Sequence, residues 1–165
     1  MPATVTNASK AINTARSFFA AYDSHDVDKM VAACNENAKL RYMPMGSQGR
    51  GKVRELGKAI WASFIDALPD LHVTVQSMFG DASNIAAEVM IGGTQRKDLV
   101  YGQVRIPSQG KHYELPHVFL LHANESGLSR KSLPIGIMPA STRNWARKRW
   151  TEPNSWAGFT RRQGG

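Results

Sequence analysis

The apolar period of this chain changes once, at Pro69, and that change constrains the fold more than any other feature of the sequence. Before Pro69, apolar side chains recur every three to four residues. Ile12, Ala15, Phe19 and Tyr22 predict an amphipathic helix over about residues 8–22. Asp26 is placed to cap a second, short helix, with Asp28 in its first turn. Val53, Leu56, Ile60, Phe64 and Ala67 predict a third, with Trp61 and Leu68 widening its apolar face. Between the second and third helices, "AKLRYM" alternates as a strand and "MPMGSQGRG" reads as a turn-rich link. After Pro69 the period is two. Leu71, Val73 and Val75 form one strand, and Ile85, Ala87, Val89 and Ile91 the next, with the hairpin-like "FGDASN" between them. A third strand is expected over about 98–106. In a fourth, Tyr113, Leu115, His117, Phe119 and Leu121 share a face. Helices followed by an antiparallel meander predict an α+β domain, with three N-terminal helices packed on one face of a curved sheet.

The charge is unevenly placed. Residues 1–127 carry 13 Lys and Arg against 12 Asp and Glu, whereas residues 128–165 carry 8 against Glu152 alone. The net charge of +8 is therefore a property of the tail, and no nucleic-acid partner is expected for the body. Cys34 is the only cysteine, which excludes an intramolecular disulfide. The N-terminus lacks an apolar stretch of the secretory kind, and no run approaches the ~20 residues of a membrane span. A cytoplasmic setting is the expectation. Neither HExxH nor CxxC nor a glycine-rich phosphate loop occurs, so no metal or other cofactor is expected.

Three stretches in order, "FFAAYDSHDVDKMVAACNENAKLRYMP", "GKAIWASFIDALPDLHVTVQSMFGD" and "EVMIGGTQRKDLVYGQVRIPSQGKHYELPHVFLLHANESG", resemble the SnoaL-like polyketide cyclase family of the NTF2-like superfamily. The resemblance covers about residues 14–127. It implies a cone, a curved sheet wrapped by helices around one pocket. It also implies a cofactor-free cyclase- or isomerase-type activity on a small apolar or polycyclic carbonyl compound, and a homodimer. The rival reading from a different class is a non-catalytic ligand- or partner-binding domain of the same fold. At three positions where similar proteins carry Asp, His and Asp, this sequence has Phe119, Gln95 and Met43.

His117 remains as the candidate for proton transfer, because imidazole is poised near neutral pH. Its other reading is a buried neutral histidine bonded to a backbone carbonyl. Asp98 is a candidate to pair with or orient His117, or else an exposed hairpin charge. Gln95 is a candidate to polarise the substrate. Tyr22, Tyr42, Met43, Trp61, Phe64, Tyr113 and Phe119 are expected to line the pocket, although aromatic side chains serve equally as core packing. His25 and Asp26 read as caps, and His72, His112 and His122 as solvent-side.

Residues 128–165 form an atypical basic segment with three of the four tryptophans. Pro134 and Pro139 disfavour the closing strand that a family member should supply here. Read one base out of register, Ser129–Ala146 permits Ile-Thr-Glu-Ile-Thr-Ala-Tyr-Trp-Asp-Asn-Ala-Ser-Phe-Tyr-x-Gln-Leu-Gly. This resembles the family's closing strand, and Pro139, Trp145 and Ala146 force three of its residues. The segment then reads as a frameshifted closing strand whose basic character is accidental. The alternative is a genuine arm, whose Trp and Arg would stack on bases or rest on an anionic surface.

Overall fold

The computed structural model of the chain describes residues 3–124, 127–128 and 133–137. Helix α1 (Ala3–Asp23) is followed by α2 (Val27–Ala32), and Asp26 caps α2 by accepting a 2.9 Å bond from the Lys29 amide. His25 makes the sharp link between them at φ +59, and its Nε2 donates to the Leu71 carbonyl at 2.7 Å. Strand β1 (Lys39–Tyr42) leads into the segment expected as a turn-rich link. Residues 43–49 wind into 3-10 turns there, and β2 (Arg50–Lys52) pairs back on β1. The third helix begins as a π turn over Val53–Gly57 and continues as α3 (Lys58–Ala67).

The meander follows as β3 (His72–Gly80), β4 (Asn84–Thr94) and β7 (His112–Asn124). The strand expected over 98–106 is instead a tight hairpin, β5 (Leu99–Tyr101) and β6 (Val104–Ile106), forming its own two-stranded sheet. Its tie to α3 is reciprocal: Ser63 Oγ donates to the Val100 carbonyl and accepts from the Val100 amide. The main sheet runs β2–β1–β9–β7–β4–β3, where β9 is Leu133–Ile137. A short β8 (Gly127–Leu128) pairs with β7.

β9 corrects the expectation drawn from the prolines. It lies inside the sheet, parallel to β1 and antiparallel to β7, so the sheet is mixed. The β7 ladder takes in only Ile135–Ile137. Pro134 pairs with Arg41 of β1 one residue outside that ladder, where a missing donor breaks no bond to β7. Residues 133–137, beyond residue 127, thus pair within the main sheet. The remaining residues of the basic segment, 129–132 and 138–165, lie outside the described residues.

The helices cover one face of the sheet, and the core lies between. Phe18, Phe19, Trp61 and Phe119 meet edge to face, with ring centroids 5.0–6.4 Å apart. A second aromatic group joins Tyr42, Phe64 and Tyr101 below the β5–β6 hairpin. Quadrupole geometry favours both arrangements, and burial of these rings dominates the stability of the inner face.

Candidate functional site

His117 is the one imidazole buried on the inner face, 3% exposed, among the described residues. The period-two pattern of β7 puts it there: Phe119, Leu121 and Ala123 on the same face are all buried, and Val89 of β4 is its register partner. Nδ1 lies 2.9 Å from the Leu115 carbonyl oxygen. A carbonyl can only accept, so Nδ1 carries the hydrogen and Nε2 carries the lone pair in the neutral ring. Burial holds the pKa below its ordinary 6.5, against the smaller opposing pull of the Leu115 carbonyl. The ring is therefore a neutral base near physiological pH.

That depression has a sign for stability. The unfolded chain binds the proton more readily, so His117 supports folding above its unfolded pKa. The contribution is lost as pH falls through ~6.5 and on through the lower folded pKa. Urea midpoints compared between about pH 7.5 and pH 5 should fall for the native chain and fall less for His117→Gln. Equal slopes would mean that His117 is not buried neutral. Asp70, Asp81 and Asp98 are held below their ordinary 3.8 by hydrogen bonds, so their contributions vanish only at lower pH.

The other two proposed catalytic residues are not beside His117. Gln95 follows the end of β4, where its amide donates to the Lys111 carbonyl. His117 lies six positions along the chain from Lys111, roughly 20 Å of strand. Gln95 is buried, 3% exposed. Its Nε2 donates to the Ile106 carbonyl at 3.0 Å, and its Oε1 has no partner among the described residues. Asp98 ties the β5–β6 hairpin. It accepts from the Ser108 amide at 2.8 Å and from Arg105 at 2.7 and 2.6 Å. It is a hairpin charge and orients nothing at His117.

The expected pocket wall is also revised. Tyr22, Tyr42, Trp61, Phe64 and Phe119 are buried in contact with the core, whereas Met43 turns outward, 42% exposed, at the start of the 3-10 turns. Tyr113 is half-buried near the start of β7. A cavity of about 400 Å³ opens between α1 and β3. It is lined by Phe19, Ala20, Val73, Val75 and Met78, with Arg16 and Asp23 at its rim. Another, of about 290 Å³, lies beside the N-terminal half of α1. Neither is lined by His117 or by any residue expected to line a pocket. Sequence reading placed Phe19 on the first helix's apolar face but missed Phe18 and Tyr101, although Phe18 and Phe19 stand together in that stretch. Their adjacency puts one of the pair off the simple 3.6 stripe.

Outside the interior, His72 and His112 both approach Glu114 Oε1, at 3.0 and 3.2 Å, on the exposed face. Among the described residues no set of three His, Cys, Asp or Glu is arranged to hold a metal ion. Cys34 is buried and its thiol is pushed up to about 12, which leaves it unreactive.

An α+β sheet with three helices on its inner face and a buried histidine on its long central strand can now be compared with known proteins. The SnoaL-like domain family matches residues 15–129. The chain belongs to that family. As a SnoaL-like domain it shares the NTF2-like fold, and solved structures agree. AclR of Streptomyces galilaeus, assigned as a hydroxylase, is 14% identical with TM-score 0.63, covering 80% of this chain and 91% of AclR. A protein of Jannaschia sp. CCS1, assigned to the SnoaL-like polyketide cyclases, is 15% identical with TM-score 0.64, covering 83% and 88%. A Catenulispora acidiphila protein of ketosteroid isomerase-like fold is 13% identical with TM-score 0.59, covering 74% and 83%. A search of curated proteins finds no match. No described helix is long and apolar enough to cross a membrane.

Proposed function

We propose that this SnoaL-like domain binds a small apolar or polycyclic carbonyl compound and moves a proton on it without a cofactor, as a cyclase or isomerase does. The observation that carries the reading is His117: a buried neutral imidazole whose tautomer is fixed by Leu115, leaving Nε2 as the base. Gln95 and Asp98 are too remote to share the step, so His117 acts alone in this chain. The test uses 2-tetralone, a bicyclic enolisable ketone, in D2O. The domain should accelerate exchange of the α-protons, and His117→Gln should lose about 10²–10⁴ of that rate while retaining the fold. Exchange no faster than buffer, or exchange unchanged by the substitution, overturns the reading.

The second reading, a non-catalytic binding domain, draws on a different observation. The open volume of about 400 Å³ lies between α1 and β3, away from His117, and its size suits a small ligand. Under that reading ligand binding survives His117→Gln and no turnover is found.

The homodimer rests on the outer sheet face. Phe79, Ala86 and Leu120 form one cross-strand row over β3, β4 and β7, with Phe79 63% and Leu120 40% exposed. An apolar row of that kind on a polar surface marks an interaction site. Sedimentation should show a dimer that Leu120→Asp converts to monomer; a monomeric native chain refutes it.

A further inference from the structure

β9 holds a central place in the sheet with a sequence poorly suited to it. Pro134 lacks a donor, and Gly136 offers no side chain to pack. Its flanking partner β7 also carries a proline, Pro116, but is bulkier beyond it, with Val118, Phe119, Leu120 and Leu121 in a row. The family match ends at residue 129, and Ser129 is also where the shifted reading begins. In that shifted frame the five positions of β9 read Thr-Ala-Tyr-Trp-Asp, of which Thr, Tyr and Trp have high strand propensity.

The register supplies the consequence. Ile137 is the antiparallel partner of His117, and Ile135 is the partner of both Phe119 and Tyr42. Antiparallel partners share a face, with Cβ atoms about 4.5–5.5 Å apart. The last residue of the shifted strand, an aspartate, therefore falls directly opposite His117. Among the described residues no Asp or Glu is buried, so the inner face otherwise lacks a carboxylate.

We infer that the reading frame of this chain slipped by one base near codon 129, and that the unslipped chain carries at position 137 an aspartate that positions His117. The catalytic meaning of that aspartate rests on the proposed chemistry of His117; the slip itself does not. The carboxylate stabilises the protonated ring, so that His117 can hold the proton it takes. Without it, the imidazole is a weak base in an apolar setting. Aspartate at position 137 is a positioning residue in this scheme.

The nucleotide sequence is the first test. The slip requires codons CCT, ATT and GGG at Pro134, Ile135 and Gly136. Any other third base at Gly136 removes the aspartate and overturns the inference. The second test compares the full chain with the same chain re-framed from codon 129, and with Ile137→Asp alone. The His117 ring proton is followed by NMR through a pH titration. The re-framed chain should bind that proton at least tenfold more tightly and unfold at higher temperature. Should Ile137→Asp fail to fold, the re-framed chain carries the measurement. An unchanged His117 titration, or a less stable re-framed chain, overturns the inference. Tighter proton binding with no exchange of 2-tetralone keeps the slip and removes the catalytic reading. Exchange by the present chain, unaffected by re-framing, does the reverse.

Discussion

Phe119→Ala should destabilise the domain by about 3–5 kcal/mol, the range for emptying a phenyl site in a closed core. The ring is 1% exposed and lies edge to face with Phe18 and Phe19, at centroid distances of 6.4 and 5.0 Å. Its β4 partner is Ala87, too small to swing into the gap, and neighbouring rings are pinned by Trp61 on the far side of Phe18. The site cannot collapse easily, which is the condition for the upper part of the range. The cavity would open beside His117, whose ring centroid is 6.2 Å from that of Phe119. An apolar void of this kind stays dry and accepts a small aromatic molecule. Benzene should therefore raise the urea midpoint of the variant by more than that of the native chain. A loss under about 1 kcal/mol would show that the inner face is not closed around this ring. The result bears on function, because position 119 is where the family resemblance implies an aspartate. Here it is filled by a ring that plugs the space next to the remaining base.

Periodicity made the helices, the two long strands and the face occupied by His117 legible, because each depends on burial that the chain carries locally. Asp26 was legible as a cap for the same reason: its partner Lys29 is three residues away. What periodicity cannot supply is the partner of a face. Phe119, Trp61 and Phe64 look alike whether they line a cavity or touch one another, and only the crossing of α1 and α3 over β7 decides. Asp98 shows a second limit. The hairpin turn from Tyr101 to Val104 folds Arg105 and Ser108 back onto its carboxylate, and nothing in the spacing of Asp98 and His117 foretold that.

β9 shows a third limit. Proline in a candidate strand argues against a ladder only if both neighbours bond at that residue, and the sequence does not say where the neighbours stop. The parallel pairing of Leu133–Ile135 with β1 is non-local, set by the layout of the whole sheet. The same pairing turned an apparent sequence anomaly into a register, and the register into a neighbour for His117. That step required both the codon argument and the strand order.

Gly80→Ala should cost about 2–5 kcal/mol, from an unfavourable backbone plus a steric collision. Gly80 ends β3 at φ +155, and a Cβ there would lie 2.1 Å from the Asn84 carbonyl oxygen. That oxygen is backbone and already accepts from the Asp81 amide at 2.8 Å, while Asp81 Oδ1 accepts from the Ser83 and Asn84 amides at 2.7 and 2.8 Å. Relieving the collision breaks a turn closed by all three bonds. Gly110→Ala separates the two causes. Gly110 sits at φ +64 with nothing within 4 Å of its would-be Cβ, so it pays the backbone cost alone, about 1–2 kcal/mol. Urea midpoints of the two variants should differ in that order, and equal losses would mean that the turn yields without strain. The turn matters to the site through register. It fixes Gly80 against Ile85 and, across a one-residue register shift at Gln76, Val75 against Val89, whose other neighbour is His117. A slip of one residue in β4 would carry its whole apolar set to the outer face. Gly80→Ala should therefore alter the His117 titration as well as stability, whereas Gly110→Ala, in the loop before β7, should leave it in place.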